Sequence, residues 1–264
     1  MLDMLKLGDA CSSLRTLDAH RWRPLQDSTG RMRVAATELG KRTLNIDWLP
    51  AAAKKYHISA DINDYVINEI PIVAVDLPNR NLDEFGFEEM GSFNEQQGRL
   101  TYQTFIGKPT HEEHANTDVT KAKGVHFDAT LEPDERTGLY RIVVLAGWDR
   151  TKDRKLAEDI LNGVRTGFSM GAFVDYTQCS HAQCQATSST GHIPCTHHRN
   201  GTAKGSITQD GYLVYERCGG VNFIETSAVG DPAQWDAHQR WQEAWSGPVT
   251  ASVANPAAWL PSRR

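Results

Sequence analysis

The chain has 264 residues, 39% hydrophobic and 23% charged, with a formal net charge of −5. That is enough for one sizeable core plus an appendage, and it excludes the basic footprint expected of a nucleic-acid binder. The longest apolar run, "IVVLAGW", is strand-sized, and "MLDMLKLGDACSS" is broken by charges too early for a signal peptide, so neither a membrane span nor secretion is expected.

Residues 1–63 read as an N-terminal extension whose mixed signals, including "RWRPLQDSTGRMR" and a short Ala-rich piece at "LPAAAKKYHIS", place no firm element. The main domain is expected over 64–245. There "DYVINEIPIVAV" reads as a strand pair or one long strand interrupted at Pro71, and "DLPNRNLDEFGFEEMGSFNEQQG" as a long polar connection. Three β-rich segments follow, "RLTYQTFI", "KGVHFDATLE" and "GLYRIVVLAGW". The helical face Leu156, Ile160, Leu161 and Val164 predicts a helix over Lys152 to Asn162. Period-two alternation of Phe168, Met170, Ala172, Val174 and Tyr176 then predicts a strand. A Cys/His-rich insertion at 179–198 separates it from two more strands, "GYLVYERC" and "VNFIETSAV". Asp231-Pro232 opens a predicted helix over "AQWDAHQRWQEAW", and 246–264 reads as a flexible tail. The whole is a β-dominated α+β chain.

Gly167-Phe168-Ser169-Met170-Gly171 fits G-x-S-x-G, the pattern of the α/β-hydrolase nucleophile elbow. That elbow needs a strand entering the serine and a helix leaving it. Here a helix enters and a strand leaves, which disfavours generic esterase chemistry on that fold. A serine hydroxyl is a poor nucleophile unless a histidine takes its proton and a third group orients the histidine. Upstream, "FIGKPTHEEHANTDVTKAKGVHFDA" offers His111, His114 and His126. His114 lies in a predicted loop, where an accessible ring can approach a neighbouring strand.

"GKPTHEEHAN", "AKGVHFDATL", "LAEDILNGVRTGFSMGAFV" and "VNFIETSAVGDPA" resemble, in order and spacing, the prohead maturation protease family of tailed bacteriophages, over roughly Tyr65 to Ala237. That family is similar to the herpesvirus assembly proteases. The resemblance implies a closed β-barrel with peripheral helices, Ser169 as nucleophile and His114 as base. Glu225, a charged residue on an otherwise apolar strand, is the leading third member, with Asp149 and Asp128 as competitors. Oxyanion donors are expected on the following loop from Gly230, Asp231 or Ala233, since Pro232 has no N–H. The implied function is a serine endopeptidase that processes scaffold and major capsid proteins, and itself, inside an assembling procapsid in the host cytoplasm, with self-association. The alternative is a catalytically silent capsid-assembly or scaffold component.

Five cysteines, three of them between Cys179 and Cys195, do not form a distributed disulfide framework and point to a reducing compartment. Cys179, Cys184 and Cys195, with His197 or His198, supply the soft four-ligand set that suits tetrahedral zinc in a structural role. His181 replacing one cysteine, or reduced thiols without metal, are the competing readings. Cys11 and Cys218 have no nearby Cys/His partner and should take no part.

Overall fold

The computed structural model describes residues 44, 46–134, 137–201, 204–209, 211–234 and 237. The expected tail at 246–264, most of the N-terminal extension, and the terminal helix beyond Ala237 lie outside the described residues.

The β-branched run Tyr65–Ala74 is one ten-residue strand, β1, and Pro71 is tolerated in it because the register shifts between Pro71 and Val73. Three short strands follow, Asp83–Phe85 (β2) and, after helix α2 (Phe87–Gly91), the hairpin of Phe93–Asn94 (β3) and Arg99–Leu100 (β4). Helix α1, Leu49–Tyr56, precedes them all. "RLTYQTFI" departs from expectation: after the two-residue β4 its centre, Thr101–Phe105, is a 3-10 turn that drives Phe105 into the core. Burial of Phe105 against Phe223, ring centroids 4.0 Å apart and stacked, outweighs the local β preference. The remaining strands are β5 (Pro109–Glu112), β6 (Gly124–Pro133), β7 (Tyr140–Asp149), β8 (Phe168–Phe173), β9 (Tyr176–Cys179), β10 (Thr187–Ser188), β11 (Glu216–Gly219) and β12 (Asn222–Ala228). Helix α3, Arg154–Leu161, starts where Asp153 caps it by accepting from Leu156 N–H, and runs directly towards β8 as the sequence implies.

Six strands form one curled sheet in the order β1-β7-β6-β5-β12-β8. Its ends are β1 and β8, and no ladder joins them among the described residues. The inner face holds the main core, with Val66, Val144, Trp148, Phe168 and Phe223 packed beneath Leu156 and Ile160 of α3. Each such side chain contributes roughly 1.5–3 kcal/mol through burial. The outer face carries a second cluster, Tyr65, Ile67, Val125, Phe127 and Leu145, covered by Leu49, Ala52 and Tyr56 of α1. Leu44 and the described stretch 46–62 are thus part of the packed body. A smaller sheet, β10-β9-β11-β2, stands beside β8 and carries the Cys/His segment. The chain is β-dominated with few helices, and no helix among the described residues is long and apolar enough to cross a membrane.

Candidate active site and metal centre

Strand register brings the expected catalytic residues to one face. β12 is parallel to β5 and antiparallel to β8, so Ser227 is the partner of both His111 and Ser169, and Glu225 is the partner of Gly171. A bulge makes this possible. Phe223 opposes Ala172 while Glu225 opposes the very next residue, Gly171, so Ile224 is the extra residue. Phe223 therefore enters the core and Glu225 emerges on the opposite face, although a regular strand would give both the same side.

Glu225 is 1% exposed, and both its oxygens are engaged. Oε1 lies 3.0 Å from Nδ1 of His114, and Oε2 accepts from the Ser227 hydroxyl at 2.6 Å. The same Ser227 oxygen accepts from the His114 backbone N–H at 3.1 Å. One hydroxyl thus fixes both ends of the histidine–carboxylate pair. The sequence reading passed over Ser227, although the alternation in "ETS" places it on the Glu225 face. Gly171 is required here: a Cβ at that position would come within 2.8 Å of Glu225 Oε1.

His114 sits just beyond β5 on a turn where Glu113 and His114 both have left-handed φ, 49° and 55°. Such conformations cost of order 1–3 kcal/mol each and persist only where surroundings impose them. Glu113 N–H donates to Ala228 O at 3.0 Å, and Arg165 clamps the turn with bonds to Glu112 (3.1 Å) and Glu113 (2.9 Å). Arg165 comes from the segment leading into β8, so the turn bearing the histidine is tied to the strand bearing the serine. The clamp is another contribution that the sequence reading missed.

The other histidines do not occupy this position. His126 is buried on the core face, Nδ1 against Lys108 O, and burial lowers its pKa to about 4. His111 is 1% exposed with neither ring nitrogen hydrogen-bonded among the described residues, and burial lowers its pKa. His114, with its side chain 46% exposed, is the one paired to a carboxylate. The competing carboxylates are elsewhere: Asp149 binds the N–H groups of Ser59 and Thr151, and Asp128 lies by Glu69 in a separate acidic hollow.

Ser169 is 5% exposed and lines a cavity of about 320 Å³ between the two ends of the curled sheet and the smaller sheet. No hydrogen bond joins its hydroxyl to His114 in this structure; contacts of this kind are commonly loose before substrate binds. The loop expected to give oxyanion donors borders the same cavity through Ala233. Arg80 holds that loop by an ion pair to Asp231 and by donating its N–H to Ala233 O at 2.9 Å.

Across β9 and the loops after it, Cys179, Cys184, Cys195 and His197 bring their ligand atoms within 4.8 Å of one another and can hold a metal ion. No disulfide forms among the described cysteines. Burial pushes the Cys179 thiol up to about 12, so a thiolate there calls for a nearby cation. His181 stacks on His197 at 4.1 Å and so supports the ring. His198 packs with Nδ1 3.4 Å from Cys195 Sγ, beside the cluster, and its Nε2 has no partner among the described residues. Cys218, outside the cluster, is a buried thiol in the cavity wall, its pKa raised by burial to about 12.

Compared with known protein families, curated proteins and solved structures, the chain finds no match in any of the three.

Proposed function

We propose that this chain is a serine endopeptidase in which Ser169 attacks, His114 carries the proton and Glu225 orients the histidine. The observation that supports it most is the His114 Nδ1 to Glu225 Oε1 contact of 3.0 Å, on the face and strand pair that also bear Ser169. With Nδ1 turned to the carboxylate, Nε2 is the nitrogen left to accept the Ser169 proton as Oγ bonds to the scissile carbonyl carbon. His114 then donates that proton to the departing amine, and water, deprotonated by the same nitrogen, hydrolyses the acyl ester. Glu225 keeps the tautomer and stabilises the imidazolium throughout. Backbone N–H groups of the Arg80-tethered loop are the candidate oxyanion donors.

The curled sheet is read as the barrel of the phage prohead and herpesvirus assembly proteases, parted between β1 and β8 where the cavity lies. On that reading the substrates are scaffold and capsid segments and the chain itself, and the site of action is the assembling procapsid. The four-ligand cluster is assigned to zinc, whose preference for tetrahedral Cys₃His sets matches its donors, in a structural role. Expression of the full chain and of Ser169→Ala, compared by intact mass, tests the activity. Discrete truncations in the first and none in the second support the protease. Identical masses, together with no covalent adduct at Ser169 on treatment with a fluorophosphonate, favour the silent assembly component.

A further inference from the structure

The cavity beside Ser169 has a composition that the proposed chemistry does not use. Its walls include Phe85, Met170, Val174 and Cys218, and its polar positions include Asn79 and Asp83. At about 320 Å³ it holds a long unbranched side chain together with part of the main chain that carries it.

The ionic groups at this wall already bind one another. Asp83 is held by Lys204 at 2.5 Å, and Lys204 also reaches Glu216 at 3.4 Å, the register partner of Asp83 across β2 and β11. Burial disfavours the Lys204 charge, but the hydrogen bond and charge of Asp83 outweigh it and raise its pKa. Lys204 is one cation shared by two carboxylates, so the group as a whole is negative and repels an acidic guest. Asp83 already has its cation and does not offer a free carboxylate to a basic one. Either guest would have to break a partly buried pair and leave a charge uncompensated. Asn79 is different: its Oδ1 accepts from Asn81 N–H (2.8 Å) and Asp83 N–H (3.1 Å), while its Nδ2 has no acceptor among the described residues. The wall therefore offers an amide donor beside apolar surface and no spare charge.

We propose that this cavity is the specificity pocket for the side chain on the acyl side of the scissile bond, and that it takes a long uncharged side chain ending in a hydrogen-bond acceptor, of the glutamine type. The inference rests on the serine-protease reading. It assigns Asn79 as the residue that donates to the side-chain carbonyl and the Asp83–Lys204 pair as the element that rejects charge. Neither residue touches the reacting atoms.

The test uses the full chain, a degenerate library of blocked octapeptides read by mass spectrometry, and fluorophosphonate labelling of Ser169 as a measure of the catalytic group alone. Wild type should cleave after glutamine at least tenfold faster than after glutamate or lysine. Asp83→Asn, which leaves Lys204 with Glu216 alone and removes the excess negative charge, should gain at least tenfold for glutamate relative to glutamine. Lys204→Met, which frees Asp83, should gain similarly for lysine. Labelling of Ser169 should stay within about twofold in both. Normal labelling with no side-chain preference, or variants with unchanged profiles, overturns the pocket while the protease reading stands. Failure of Ser169 to label in wild type overturns both. Because the two variants shift preference in opposite directions, general misfolding of one cannot mimic the result.

Discussion

Gly171→Ala separates catalytic geometry from folding. The added methyl would lie 2.8 Å from Glu225 Oε1 and 3.2 Å from its Cγ, where ordinary contact begins at 3.4 Å. The carboxylate must retreat by roughly 0.6 Å, and it is the oxygen bonded to His114 that is pushed. Because the displaced atom is the end of a side chain, and alanine is no worse than glycine in a strand, the stability cost should stay below about 1 kcal/mol. The charge-assisted hydrogen bond to His114 is a larger matter, about 1.5–3 kcal/mol, which is roughly 10- to 100-fold in kcat/KM. The assay is hydrolysis of a self-derived peptide alongside thermal unfolding, with Glu225→Gln as reference. Gly171→Ala should be as impaired as about 10- to 100-fold and melt within a few degrees of wild type. Full activity in a variant that melts normally would refute the role given to Glu225.

Purified protein should contain about one zinc per chain; Cys195→Ser and His197→Ala should lose it, whereas His198→Ala should retain it, as metal analysis will read. Chelation should expose the segment 179–198 to proteolysis, and an unchanged digestion pattern in metal-free protein would mean that the cluster is not a metal site. Acid stability follows from His126. Its folded pKa of about 4 lies below its ordinary 6.5, so the stability it confers is complete above pH 6.5 and is lost as pH falls towards 4. The loss is about 3 kcal/mol by linkage, and His126→Leu should flatten that part of the stability curve. An unaltered acid limb in the variant would contradict it. Arg165→Ala should lower kcat more than stability, because its ion pairs are partly exposed and worth roughly 0–1 kcal/mol but hold the strained His114 turn.

Much of the fold was legible where periodicity was long. Tyr140–Asp149 matches expectation because its run is apolar on both faces, and Arg154–Leu161 because Leu156 and Ile160 share one face, although Val164 lies exposed beyond the helix. The strand expected from Phe168 to Tyr176 ends at Phe173, and Tyr176 opens β9 in the other sheet. The turn at Thr101–Phe105 was not legible, since its conformation is decided by a distant partner, Phe223, and not by its own residues. Helix α1 escaped for a related reason: its eight residues are too short to declare themselves until Tyr65, Ile67 and Phe127 supply the surface they cover. In the site, Glu225 could be singled out as a charge on an apolar strand, and the Cys/His spacing pointed to the cluster. Ser227 could be placed on the Glu225 face by alternation, but its bond to the His114 N–H is fixed by the parallel register of β12 with β5, and Arg165 carried no signal because its partners lie across the fold. The Asp83–Lys204 pair spans the chain from β2 to the far side of the Cys/His segment and emerges only from the folded arrangement.

The central claim is that Ser169 and His114 form one catalytic unit. The rates of Ser169→Ala, His114→Ala and the double variant on one cleavable peptide test it most directly. The account predicts that all three fall to nearly the same residual rate, since removing either member abolishes the same activated nucleophile. A double variant whose loss equals the product of the two single losses would contradict it.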